Sequence, residues 1–95
     1  MSRVIRFEIV IDSVATGELL DVIEQFESAT CTVHRARARQ SNGRLVTEDD
    51  FSDSISSNLV LIFVPKKDEK AFVKALQPVL SAYNAATYCS SCDAL

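Results

Sequence analysis

The six-residue run Leu59-Val-Leu-Ile-Phe-Val64 constrains the fold of this chain more than any other segment. It is far shorter than the roughly 20 apolar residues that a membrane-spanning helix needs. Its β-branched and aromatic content favours an extended strand. Pro65 follows at once, and proline, lacking the ladder donor, ends such a strand. Leu59, Leu61 and Phe63 alternate with Val60, Ile62 and Val64, so both faces of the strand are apolar. A strand of this kind belongs in the middle of a sheet.

The rest of the chain supplies the partners. From Arg3 to Asp12, Ile5, Phe7, Ile9 and Ile11 fall on one face and Arg6, Glu8 and Asp12 on the other. This period of two predicts a half-buried strand. Ser13 to Glu18 is rich in capping residues, and Leu19, Val22, Ile23 and Phe26 then recur at helical spacing. Thr30 to Gln40 reads as a second strand that becomes polar toward its end. Asp68 is a natural N-cap, and Phe72, Leu76, Val79, Leu80 and Tyr83 form a second helical stripe. Pro78 lies inside that stripe and is expected to kink the helix near Lys74. Ala86 to Cys92 reads as a short last strand. The order βαββαβ predicts an α+β, ferredoxin-like sandwich over residues 1–95. Right-handed crossovers place the first and third strands in the centre, giving an antiparallel sheet of order 4-1-3-2 with two helices on one face.

Two helices cover one face only, so the second apolar face of Leu59–Val64 predicts self-association through the open side of the sheet. The connection between the second and third strands, about 16 residues with Ser41 to Ile55 at its heart, exceeds the roughly 12–15 residues usual for structureless loops. Such loops carry function. Ten Lys and Arg against 13 Asp and Glu give a net charge of −3, which excludes the basic surface of a nucleic-acid binder. The start of the chain breaks its apolar residues with Arg3, Arg6 and Glu8, unlike a secretory leader. The expectation is a cytoplasmic protein without membrane insertion, its three cysteines reduced.

Arg35, Arg37 and Arg39 alternate along one face of the second strand, and Arg44 follows in the loop. A row of guanidinium forks suits phosphate or carboxylate groups. An aggregation-resistant edge, or pairing with Glu48, Asp49, Asp50 and Asp53, is the plainer reading of the same row. Those acidic residues lack the glycine and spacing of a calcium loop. Cys31-x-x-His34 and Cys89-x-x-Cys92 offer four zinc-ligand types, but positions i and i+3 on a strand face opposite sides about 10 Å apart. A redox pair Cys89–Cys92 lacks the helix that such a motif opens. A small ferredoxin-fold enzyme, or a metal or redox module using Cys31, His34, Cys89 and Cys92, stands as the alternative class. Two glycines in the whole chain exclude phosphate-loop and dinucleotide fingerprints, and no serine sits in a nucleophile elbow.

In order and spacing the chain resembles the PII-like signalling proteins, small relatives of nitrogen-regulatory PII, with the bicarbonate-transport and carboxysome-associated types nearest. The resemblance rests on Arg3–Asp12, Cys31-Thr32-Val33, the long loop with Asp49-Asp50-Phe51, Leu59–Pro65, Ala75-Leu-Gln-Pro-Val-Leu80 and Tyr83–Cys89. It implies a non-enzymatic homotrimer without a resident cofactor. Its effector, an adenine nucleotide, binds between subunits, and its partner is a transporter or cytoplasmic enzyme engaged through a T-loop. By this resemblance Thr32 lies near the adenosine, Phe63 lends backbone beside the adenine, and Arg37 and Arg39 stand at the loop base where phosphates bind. Residues 41–55, with Glu48, Asp49, Asp50, Phe51 and Asp53, are the partner loop. The glycines of the family's loop base are Ala38 and Gln40 here, and its glycine- and lysine-rich phosphate turn is Tyr83-Asn-Ala-Ala86. A monophosphate, a cyclic nucleotide or another anion therefore stands beside the triphosphate as effector.

Overall fold

The computed structural model of the chain describes residues 1–36, 57–83 and 85–95. Four strands, β1 (Ser2–Asp12), β2 (Thr30–Ala36), β3 (Ser57–Pro65) and β4 (Ala86–Ala94), form one antiparallel sheet in the order β2-β3-β1-β4. Helices α1 (Thr16–Ile23) and α2 (Glu69–Tyr83) connect them, each entered through a short 3-10 turn. This is the predicted α+β topology.

The alternation of β1 builds the core. Ile5, Phe7, Ile9 and Ile11 are buried, and β3 sets Val64, Ile62 and Val60 directly opposite the first three. Leu19 and Ile23 of α1 and Phe72, Leu76 and Val79 of α2 close over this surface. Each fully buried side chain of this size stabilises by roughly 1.5–3 kcal/mol. Phe72 is the centre, with ring centroids 5.0 Å from Phe7 and 5.1 Å from Phe26.

Four local details bear on the sequence reading. Pro78 lies inside α2, which runs from Glu69 to Tyr83 as one helix. Pro78 and Lys74 are both exposed, so the Lys74 carbonyl that lacks a proline amide faces water. The residues before α1 do not cap it by side chain. Instead the Thr16 hydroxyl donates back to the Asp12 carbonyl at 3.1 Å. Pro65 is the last residue of β3 and pairs with Val4. Finally, β4 runs on to Ala94, because β1 begins at Ser2 and offers it partners that far, closed by the Arg3–Asp93 ion pair at 3.1 Å.

The helices leave the other face of the sheet open. Val4, Arg6, Glu8 and Val10 of β1, Leu59, Leu61 and Phe63 of β3, and Tyr88 of β4 lie on it. Among the described residues no helix is long and apolar enough to cross a membrane.

Candidate functional site

One end of the open face folds into a groove of about 400 Å³. Phe63 and Pro65 of β3 form its floor with Val4 of β1; Ser28 and Thr30 line it at the start of β2, and Cys92, Asp93 and Ala94 at the end of β4. The register explains the convergence: Thr30 pairs with Phe63, Pro65 with Val4, and Val4 with Cys92. These positions therefore share a face, and Phe63 stays 36 % exposed. A flat apolar floor with hydroxyls along one edge suits an aromatic ring that carries polar substituents.

Of the sequence-predicted residues, Phe63 lies in this groove. Thr32 is on the same face, opposite Leu61, with its Oγ1 3.2 Å from His34 Nε2. Thr30, one step along the face, is the hydroxyl that borders the groove. Arg35 pairs with Asn58 and so belongs to the helix-covered face, across the sheet from Thr32 and Phe63. Because β2 is an edge strand, a ligand lying across that edge reaches both faces. Arg37, Arg39, Arg44, Glu48, Asp49, Asp50, Phe51 and Asp53 lie outside the described residues.

The four zinc-ligand types do not converge. Cys31 pairs with Ile62 on the helix side of β2, and Cys89 with Phe7 on the helix side of β4, at opposite edges of the sheet. His34 and Cys92 lie on the open face, opposite Leu59 and Val4. Among the described residues no three His, Cys, Asp or Glu side chains come together to hold a metal ion. The three cysteines are free thiols.

The sequence reading does not single out Thr30 and Pro65 as site residues, and it takes Cys92 as a metal or redox candidate and not as part of a groove. The three are distant in sequence, and only the register of three strand pairs brings them together.

No protein-family model matches the sequence, and no curated protein matches it by sequence alone. Solved structures match by fold. CPII, a nitrogen regulatory PII-like protein from Thiomonas intermedia K12 bound to ADP, AMP and bicarbonate, superposes with a TM-score of 0.73 at 13 % identity, over 95 % of this chain and 86 % of that one. A protein assigned to PII-like signalling, from Thermus thermophilus, gives 0.71 at 16 % identity, over 96 % and 88 % of the two chains. The chain has the fold of the PII-like proteins, as its strand order and loop spacing predict.

Proposed function

We propose that this chain is a non-enzymatic PII-like regulator. It binds a small anionic effector, an adenine nucleotide, between the subunits of a homotrimer, and acts on a partner such as a bicarbonate or other transporter through residues 41–55. The observation that carries this reading is the Phe63 groove, an aromatic-floored recess on the unpaired face of a fold whose neighbour CPII is bound to ADP, AMP and bicarbonate. The adenine stacks on Phe63 with Thr30 and Thr32 beside it. Arg35, Arg37, Arg39 and Arg44 receive the phosphates across the edge of β2, as charge-assisted contacts to oxyanions. The long apolar face supports the assembly, since a cleft between copies is deeper than a recess on one.

Native mass spectrometry, before and after addition of AMP, ADP, ATP, cyclic AMP and bicarbonate, tests the reading. The expected result is a trimer that takes up nucleotide in up to three copies. A monomer that binds none of them overturns it.

A further inference from the structure

The open face is apolar along β3, has the hydroxyls of Thr30 and Thr32 and the His34 ring along β2, and carries an ion pair at its centre. There Arg6 Nη2 meets Glu8 Oε1 at 2.5 Å, two positions apart on β1, with side chains 42 % and 40 % exposed. Phe63 and Ser90 flank Arg6, and Leu61 and Tyr88 flank Glu8. An ion pair this exposed adds little to the stability of one chain. Covering the face changes its weight: a desolvated charge needs an opposite charge or it opposes binding.

This arrangement narrows what can cover the face. It presents one charge of each sign at its middle, side by side, so a surface with a single sign leaves one of them opposed and an uncharged surface desolvates both with only their mutual contact to offset the cost. A second copy of the same face offers Glu8 to Arg6 and Arg6 to Glu8. The size also fits. Four strands about 4.8 Å apart and some 30 Å long give a footprint of the order that each partner brings to a standard interface, roughly 800 Å².

Building on the self-assembly reading above, we infer that the Arg6–Glu8 pair exchanges between copies and selects the chain's own open face as the partner. Arg6 of one copy bonds Glu8 of the next, while Leu61, Phe63 and Tyr88 supply the apolar area around them. Like charges brought together at such a site exclude the wrong partner or the wrong register.

Sedimentation of three samples tests this. Wild type self-associates at micromolar concentration. Arg6→Glu and Glu8→Arg, each alone, face like charge with like and associate about a hundredfold more weakly. An equimolar mixture of the two recovers association, because the carboxylate introduced in one chain then meets the guanidinium introduced in the other; recovery is partial for a ring of three, which retains one like-charged contact. Both sites are solvent-accessible in the single chain, and an unchanged far-ultraviolet circular dichroism spectrum verifies folding. If a reversal prevents folding, Arg6→Gln and Glu8→Gln replace the pair; each alone associates more weakly than wild type, and mixing gives a smaller recovery, because only the Arg6 kept in one chain and the Glu8 kept in the other then pair. A monomeric wild type overturns both the self-assembly reading and this one. An associating wild type whose variants associate equally well alone, or fail to recover when mixed, overturns only the exchange of Arg6 and Glu8.

Discussion

The Asn58 side-chain amide donates to Thr16 Oγ1 at 2.9 Å, tying the start of β3 to the first turn of α1. Thr16 is buried and passes its own proton to the Asp12 carbonyl at the end of β1. The end of β1 and the start of α1, neighbours in sequence, thus meet the distant start of β3 in one chain of hydrogen bonds at the end of the sheet where β2 departs. Each partner is satisfied by another, so removing one forfeits a hydrogen bond.

Asn58→Leu is expected to lower stability by about 0.5–1.5 kcal/mol, the net worth of its hydrogen bond, since Thr16 Oγ1 still donates to the Asp12 carbonyl. Urea denaturation measures it. In a double-mutant cycle with Thr16→Val the two losses sum to less than their separate values, because both variants remove the same Asn58–Thr16 hydrogen bond. Additive losses would show that the two side chains act separately.

Phe72→Ala is expected to cost about 3–5 kcal/mol. Phe72 is fully buried and its ring packs on both Phe7 and Phe26. Stability of an ordinary domain is only about 5–15 kcal/mol, so this variant is largely unfolded at moderate temperature. Circular dichroism melting reads the outcome, and Pro78→Ala on the exposed side of the same helix serves as the mild control.

Tyr83 gives a pH signature. Its hydroxyl donates to Glu18 Oε1 at 2.5 Å, linking the two helices. That hydrogen bond first, then partial desolvation and the nearby carboxylate charge, raise its pKa above the ordinary 10.0. The folded state therefore holds the phenol proton more tightly than the unfolded chain. The stability this provides is fully present below about pH 10 and is lost as pH rises through the folded-state value. Absorbance titration of Tyr88→Phe, which leaves Tyr83 as the single tyrosine, should give a midpoint above 10.0 that falls toward it in Glu18→Gln.

Cys89 and Cys92 should remain separate thiols in the folded chain. They occupy positions i and i+3 of β4 and face opposite sides of the sheet, about 10 Å apart along the strand, beyond the reach of a disulfide. A thiol reagent under native conditions should label Cys89 faster than Cys92, which is half-buried. Adenine nucleotide should slow the labelling of Cys92 alone, because of these two only Cys92 borders the groove. Equal protection of both would argue against nucleotide binding there.

Phe63→Ala should weaken nucleotide binding about tenfold or more, through the loss of a stacking surface. Arg37→Ala should weaken it by about ten- to a hundredfold, through the loss of one charge-assisted phosphate contact. Calorimetric titration separates these roles. A wild type that binds with Arg37→Ala binding equally well removes this arginine from the site and leaves the function standing.

The sheet order was legible because β1 and β3 announce themselves differently. Ile5, Phe7, Ile9 and Ile11 alternate with charge, whereas Leu59–Val64 is apolar throughout, and only the central positions of a four-stranded sheet accommodate both. The length of β4 was not legible. Asp93 and Ala94, beyond the predicted end at Cys92, carry no strand signal of their own and extend because β1 pairs with them. The separation of Arg35 from Thr32 follows from strand parity and was readable. The groove was not, since it depends on the registers that bring Val4 beside both Pro65 and Cys92.

The two-faced character of β3 also bears on how the chain finds its structure. Sliding β3 by one residue along β1 would turn Leu59, Leu61 and Phe63 toward the helices and Val60, Ile62 and Val64 away from them. Both sets are apolar, so hydrophobic patterning scarcely distinguishes the correct alignment from its neighbour. Asn58 does distinguish it. After the slip its amide would point away from Thr16, and Thr16 would lose the donor it now accepts from. One polar side chain at the head of the strand thus acts as the alignment mark for the whole central pairing. Without it the gap between the two alignments narrows by the worth of that one hydrogen bond.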